Sequence, residues 1–71
     1  MYIHSYTRAQ FIALQNRGIQ YLSVQKHELD GISAGTVLGR HQTYDAACRK
    51  AGPSSFRTVV DIADAIADAM S

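Results

Sequence analysis

The chain has one cysteine, no apolar run of membrane length and no basic residue after Arg57, and each of these shortages narrows what its 71 residues can be. With Cys48 alone, no disulfide closes within the chain, and a structural zinc site built on cysteines lacks its ligands. No stretch approaches the roughly 18 consecutive apolar residues that span a bilayer, so no membrane role is expected. Met1–Tyr6 has neither the basic region nor the long apolar run of a signal peptide. Together with the lone cysteine, this gives the expectation of a reducing cytoplasm. Catalytic, metal and nucleotide motifs are also missing, so no cofactor is expected.

A chain this short makes one small domain, residues 1–71, and buries only about 60% of its unfolded surface. The hydrophobic fraction of 46% overstates its core, because much of it is alanine, as in Ala63, Ala65, Ala67 and Ala69. Small domains usually need a staple, and with disulfide and metal set aside, good packing or self-association remains; the weak core makes homodimerisation a reasonable expectation. The formal net charge of +1 is unevenly spread. Every Lys and Arg lies at or before Arg57, and Asp61, Asp64 and Asp68 follow. This split argues against a uniformly basic nucleic-acid binder and suits a partner, or a second copy, docking head to tail.

The pattern along the chain reads as α+β: an N-terminal helix, a β-hairpin, a short helix, a third strand and a C-terminal amphipathic helix. Met1–Tyr6 alternates weakly, as a short strand or an arm. Thr7 with Gln10 fits a capping box, opening a helix Arg8–Arg17 that buries Phe11 and Leu14, with Ile12 as a further candidate, and stops at Gly18. Ile19–His27 reads as a strand, with Tyr21 and Leu22 pointing to opposite faces. Either both faces are partly covered, or one apolar side chain awaits a partner. Asp30-Gly31 is a turn signal, and Thr36–His41 returns as the second strand. Gly35 and Gly39 in that return mark a bulge or a close backbone approach. With the turn at Gly31–Ile32, His27 faces Thr36 and His41 faces Leu22.

Thr43 is an N-cap, and the helix Tyr44–Ala51 is expected to bury Tyr44, Ala47 and Ala51. Asp45 in its first turn and Arg49 and Lys50 in its last suit the helix dipole, and Gly52-Pro53 ends it. Phe56–Val60 fits a strand or the first turn of a final helix; its β-branched content favours the strand. Asp61 then caps a helix Ile62–Met70, with Ile62, Ile66 and Met70 on one face and Asp61, Asp64 and Asp68 on the other.

Few residues could carry chemistry. His4, His27 and His41 show no metal-ligand spacing, and ligands must converge to about 2.0–2.2 Å from one ion. Cys48 with His41 as base would need a lowered thiol pKa, yet Cys48 sits mid-helix, where a small hydrophobe packs well. The three terminal aspartates fit a solvated helix face or contact with a basic partner. Arg40, His41, Arg49, Lys50 and Arg57 lie around the second strand and the helix it feeds, with Tyr21 and Lys26 on the neighbouring strand. A basic β-ribbon can enter a major groove, although Glu28 and Asp30 at the hairpin tip oppose it.

The run Val37-Leu38-Gly39-Arg40-His41-Gln42-Thr43-Tyr44-Asp45-Ala46-Ala47 resembles the strand-to-helix junction of AP2-type and integrase-arm DNA-binding domains. That resemblance implies a ββα unit and nucleic-acid contact, but the aromatic and arginine pattern of the AP2 strands is absent. The short, alanine-rich style resembles accessory proteins of phages and mobile elements. The expectation from the sequence is a non-enzymatic interaction or regulatory protein that binds a protein partner. A DNA- or RNA-binding sheet is the alternative. The candidate partner-binding residues are Tyr21, Lys26, Arg40, His41, Arg49, Lys50, Asp61, Asp64 and Asp68.

Overall fold

A computed structural model describes residues 3–69. The elements run α1 (Arg8–Asn16), β1 (Tyr21–Gln25), β2 (Val37–His41), α2 (Tyr44–Ala51), β3 (Arg57–Asp61) and α3 (Ile62–Asp68). The strands form one antiparallel sheet in the order β2-β1-β3. This is the expected α+β architecture, with Phe56–Val60 resolved in favour of a strand that starts at Arg57 and includes Asp61. Because β2 and β3 flank β1, α2 must carry the chain from one sheet edge to the other, and it touches all three strands.

Side-chain chemistry fixes the helix ends. At the start of α1, Thr7 Oγ1 accepts from the Gln10 N–H at 3.2 Å, and Gln10 Oε1 accepts from the Thr7 N–H at 2.7 Å. Tyr6, just before the cap, stacks on Phe11 with ring centroids 5.3 Å apart, an aromatic form of the hydrophobic staple. At the other end the Gly18 N–H donates to the Gln15 carbonyl and the Ile19 N–H to the Leu14 carbonyl, both at 3.0 Å. This is a Schellman closure, and it requires the positive φ of +93° that Gly18 supplies. Thr43 Oγ1 caps α2 by accepting from the Ala46 N–H at 3.2 Å, and Asp61 Oδ1 caps α3 by accepting from the Ala63 N–H at 2.9 Å. The last helix ends at Asp68 with Ala69 as its cap; Met70 lies outside the described residues.

The hairpin register differs from the expected one. Asp30 (φ +53°) and Gly31 (φ +80°) form a two-residue turn, and Leu29 and Ile32 exchange backbone hydrogen bonds across it. The ladder is interrupted beyond this bridge, with Gln25 bonded to both Gly35 and Thr36, and strand pairing begins with Val24 opposite Val37. Leu38 is then an extra residue on β2, and the pairing resumes shifted at Ser23–Gly39, Leu22–Arg40 and Tyr21–His41. His41 therefore faces Tyr21 rather than Leu22, because the turn sits one residue earlier than expected and a bulge follows it. The bulge also rotates Val37 onto the face of Val24.

Met1 and Tyr2 lie outside the described residues; from Ile3, which is buried in the core, to Thr7 the described residues form an arm and no strand. His4 Nε2 lies 3.1 Å from Ser33 Oγ and 3.3 Å from Thr36 Oγ1, tying the arm to the hairpin.

Both faces of the sheet are covered. Leu22 and Val24 point to one side, into a cluster with Ile3, Phe11, Ile62 and Ala65, roofed by α1 and α3. Ser23 and Gln25 point to the other side by the strand's period of two, and they too are buried. The helix over them is α2, whose buried residues are Ala47 and Ala51. Tyr44, expected to be buried, is instead 57% exposed. The first residue of α2 overhangs the sheet end, where its ring meets Tyr21 edge-on at 5.5 Å. Ile12 is likewise exposed, so α1 packs through Phe11 and Leu14.

Candidate functional site

The two closures of α1 build a groove between that helix and β2. The staple places Tyr6 at one end, and the Schellman closure leaves Arg17 as the cap residue at the other. Tyr6, Gln10, Leu14, Arg17 and Arg40 are among the residues lining a volume of about 410 Å³. An adjoining volume of about 260 Å³ is lined by Leu14, Arg17, Ile19 and Arg40. Leu14 and Ile19 thus add apolar lining to a groove shared with two arginines. Arg40 Nη1 donates to the Tyr6 hydroxyl at 3.1 Å, and the Tyr6 ring is itself held by its stack on Phe11.

The charge here is one-sided. No carboxylate is among the described residues lining either volume. The Leu14 and Gln15 carbonyls at the end of α1 already accept from the N–H groups of Arg17, Gly18 and Ile19. The negative end of the helix is thereby partly quenched, and the two cations keep donors for an incoming acceptor. Arg40 was a sequence candidate. Arg17 was not, because it is a long way from Arg40 in the chain and only the closure at Gly18 turns it back toward β2.

The remaining candidates do not join Arg40. It lies opposite Leu22, on the side of α1, whereas Arg49 and Lys50 are exposed on α2 across the sheet. Lys26 is exposed at the far end of β1, where its N–H donates to the Phe56 carbonyl. Tyr21 sits between His41 on β2 and Asp61 on β3, with Tyr44 against its ring. Asp61 serves as the α3 cap, and Asp64 and Asp68 are exposed on that helix. His41 Nε2 lies 3.1 Å from Ser23 Oγ, a pairing that resembles a nucleophile and its base. Ser23 has no exposed surface, however, so in this conformation no substrate carbonyl reaches its oxygen, and the contact satisfies a buried hydroxyl.

The Cys48 thiol raises the pKa of the Tyr44 hydroxyl above 10.0, first by hydrogen bonding and then by charge repulsion. Among the described residues, no group of three or more His, Cys, Asp or Glu is placed to hold a metal ion. Among them, too, no helix is long and apolar enough to cross a membrane. No family model matches the chain, and neither a curated protein nor a solved structure shows significant similarity to it.

Proposed function

We propose that this chain is a small non-enzymatic interaction protein that binds an acidic segment of a protein partner in the groove between α1 and β2. The observation that supports this is the placement of Arg17 and Arg40 in one groove with the apolar Leu14 and Ile19 and, among the described residues, with no carboxylate lining it. Guanidinium groups bind carboxylates through paired, charge-assisted hydrogen bonds, and Leu14 and Ile19 offer contact to the aliphatic part of the same ligand. The single free thiol suits a reducing cytoplasm.

A nucleic-acid role has less support. A sheet that reads a groove needs a bare face, and here α2 covers one face while α1 and α3 cover the other. The basic residues are also divided between those two sides. The test is capture from host lysate by the native chain and by the double variant Arg17→Gln/Arg40→Gln. The expected result is a protein held by the native chain and released by the variant. An identical captured set from both chains would reject the groove. Nucleic acid alone, lost steeply as salt rises, would replace the proposal with the nucleic-acid reading.

A further inference from the structure

The outer edge of β3 offers a surface of a different kind. Its partner on the inner side is β1, in a register without shifts from Tyr21–Asp61 to Gln25–Arg57. Just beyond the two ends of this ladder, the Lys26 N–H donates to the Phe56 carbonyl and the Ile62 N–H donates to the Gln20 carbonyl. Hydrogen-bonded pairs alternate along an antiparallel ladder. Thr58 and Val60 therefore spend their backbone groups on β1. Of the outward set, Val59 offers both its N–H and its C=O to the open edge, Arg57 offers its C=O, since its N–H donates to the Ser54 carbonyl at 3.4 Å, and Asp61 offers its N–H, since its carbonyl opens α3.

Natural proteins blunt exposed edges with bulges, lysines, prolines or covering segments. The β2 edge carries a bulge at Leu38. The β3 strand, Arg-Thr-Val-Val-Asp, has no bulge, lysine or proline, and its middle three residues are β-branched. Its sequence is also complementary to itself. Antiparallel pairing centred on Val59 sets Arg57 directly opposite Asp61 of a second copy, twice, with Thr58 opposite Val60. The outward groups fit this register, since Val59 would exchange both bonds with Val59 across the two-fold axis and each Asp61 N–H would meet an Arg57 carbonyl.

We propose that the chain forms a two-fold symmetric dimer through β3, giving a continuous six-stranded antiparallel sheet in the order β2-β1-β3-β3-β1-β2. The interface is isologous, so it closes at two copies and does not propagate. It also supplies the staple that a domain of this size lacks when it has one cysteine and, among its described residues, no metal cluster. This proposal is independent of the arginine groove, which lies beside β2 at the other edge.

The decisive variant is Val59→Pro. Proline removes the central outward N–H and is tolerated on an edge strand where that N–H faces away from the sheet. Light scattering over a concentration series should show the native chain passing from monomer to dimer. Val59→Pro should remain monomeric with an unchanged far-ultraviolet circular dichroism spectrum. Arg57→Asp, which sets like charges opposite each other, should weaken dimerisation by about tenfold, as two cross-strand pairs change sign. Asp61→Asn, which keeps a capping side chain and removes the charge, should weaken it less. A native chain that stays monomeric at the highest soluble concentration overturns the proposal. So does a dimer that Val59→Pro leaves intact. If Val59→Pro unfolds, a dimer indifferent to both Arg57→Asp and Asp61→Asn overturns it, and weakening in the stated order supports it.

Discussion

Leu22 and Ser23 are neighbours in β1, neither has any exposed surface, and they meet opposite kinds of surroundings. Leu22 enters a cluster of large side chains, Phe11, Val24, Ile62 and Ile3, beneath α1 and α3. Ser23 lies under α2 among mostly small and polar groups: Gly39 opposite it on β2, His41 hydrogen-bonded to it, and Ala47 and Ala51 on the helix, with Val59 opposite it on β3 as the larger apolar neighbour. The first side gains stability from apolar area, at about 1.5–3 kcal/mol for each large side chain fully buried. The second gains little from area. It holds because the helix approaches closely and every buried side-chain nitrogen and oxygen among the described residues finds a partner. One face should therefore be sensitive to lost volume, and the other to added volume or a lost hydrogen bond.

The largest expected effect is on the apolar side. Leu22→Ala should cost about 2–5 kcal/mol, because the central strand cannot collapse around the void. In a domain of 71 residues, whose small size allows only a limited core, that change should leave much of the chain unfolded, as urea titration would register. Ser23→Ala, one residue along, should cost only about 1 kcal/mol, since a small polar group is replaced by a small apolar one and the loss is one hydrogen bond. If the two substitutions cost the same, the contrast between the faces is wrong.

Next in size is Gly39→Ala. A Cβ at Gly39 would sit 2.7 Å from His41 Nε2 and 3.0 Å from Ser23 Oγ. His41 must move away, and the Ser23 hydroxyl loses its partner while remaining buried. The expected cost is about 1–2 kcal/mol, after allowing for the backbone entropy that alanine saves. Combining it with Ser23→Ala should be markedly less than additive, because the orphaned hydroxyl is then absent; a double-mutant cycle reads this directly.

Thr43→Ala follows, at about 1 kcal/mol, from loss of the cap on the helix that covers the polar side. Here the sequence was a reliable guide. The caps at Thr7, Thr43 and Asp61 and the Asp30-Gly31 turn signal were legible because each rests on the residues of one short segment, whereas Phe56–Val60 fitted a strand or a helical turn until the sheet decided it. What was not legible depends on the third dimension. The early turn and the bulge at Leu38 together set the β2 register and place His41 opposite Tyr21 instead of Leu22. Tyr44 fits a buried stripe by periodicity, but α2 starts beyond the sheet end, so its first residue has nothing to pack on except Tyr21. Arg17 joined the candidate site only through the fold, as did the division of Arg40 from Arg49 and Lys50. The open β3 edge is likewise invisible until the strand order is known.

The smallest expected effect touches the outer surface of the polar side and leaves the core alone. Tyr44 and Cys48 are one helical turn apart on α2, and the thiol holds the phenol above its ordinary pKa of 10.0, by hydrogen bonding more than by charge. Cys48→Ala removes both influences and should lower the Tyr44 pKa toward 10.0, as followed by the Tyr44 ring resonances in an alkaline titration. Cys48→Ser separates the two causes, because a hydroxyl can still hydrogen-bond but does not ionise in that range. If the serine variant keeps most of the shift, the hydrogen bond is the dominant cause. If serine and alanine behave alike, thiolate charge is. In either case the stability of the domain should change by less than the loss of the Thr43 cap. Tyr44 is mostly in water, and α2 is held to the sheet by the alanines on its other side.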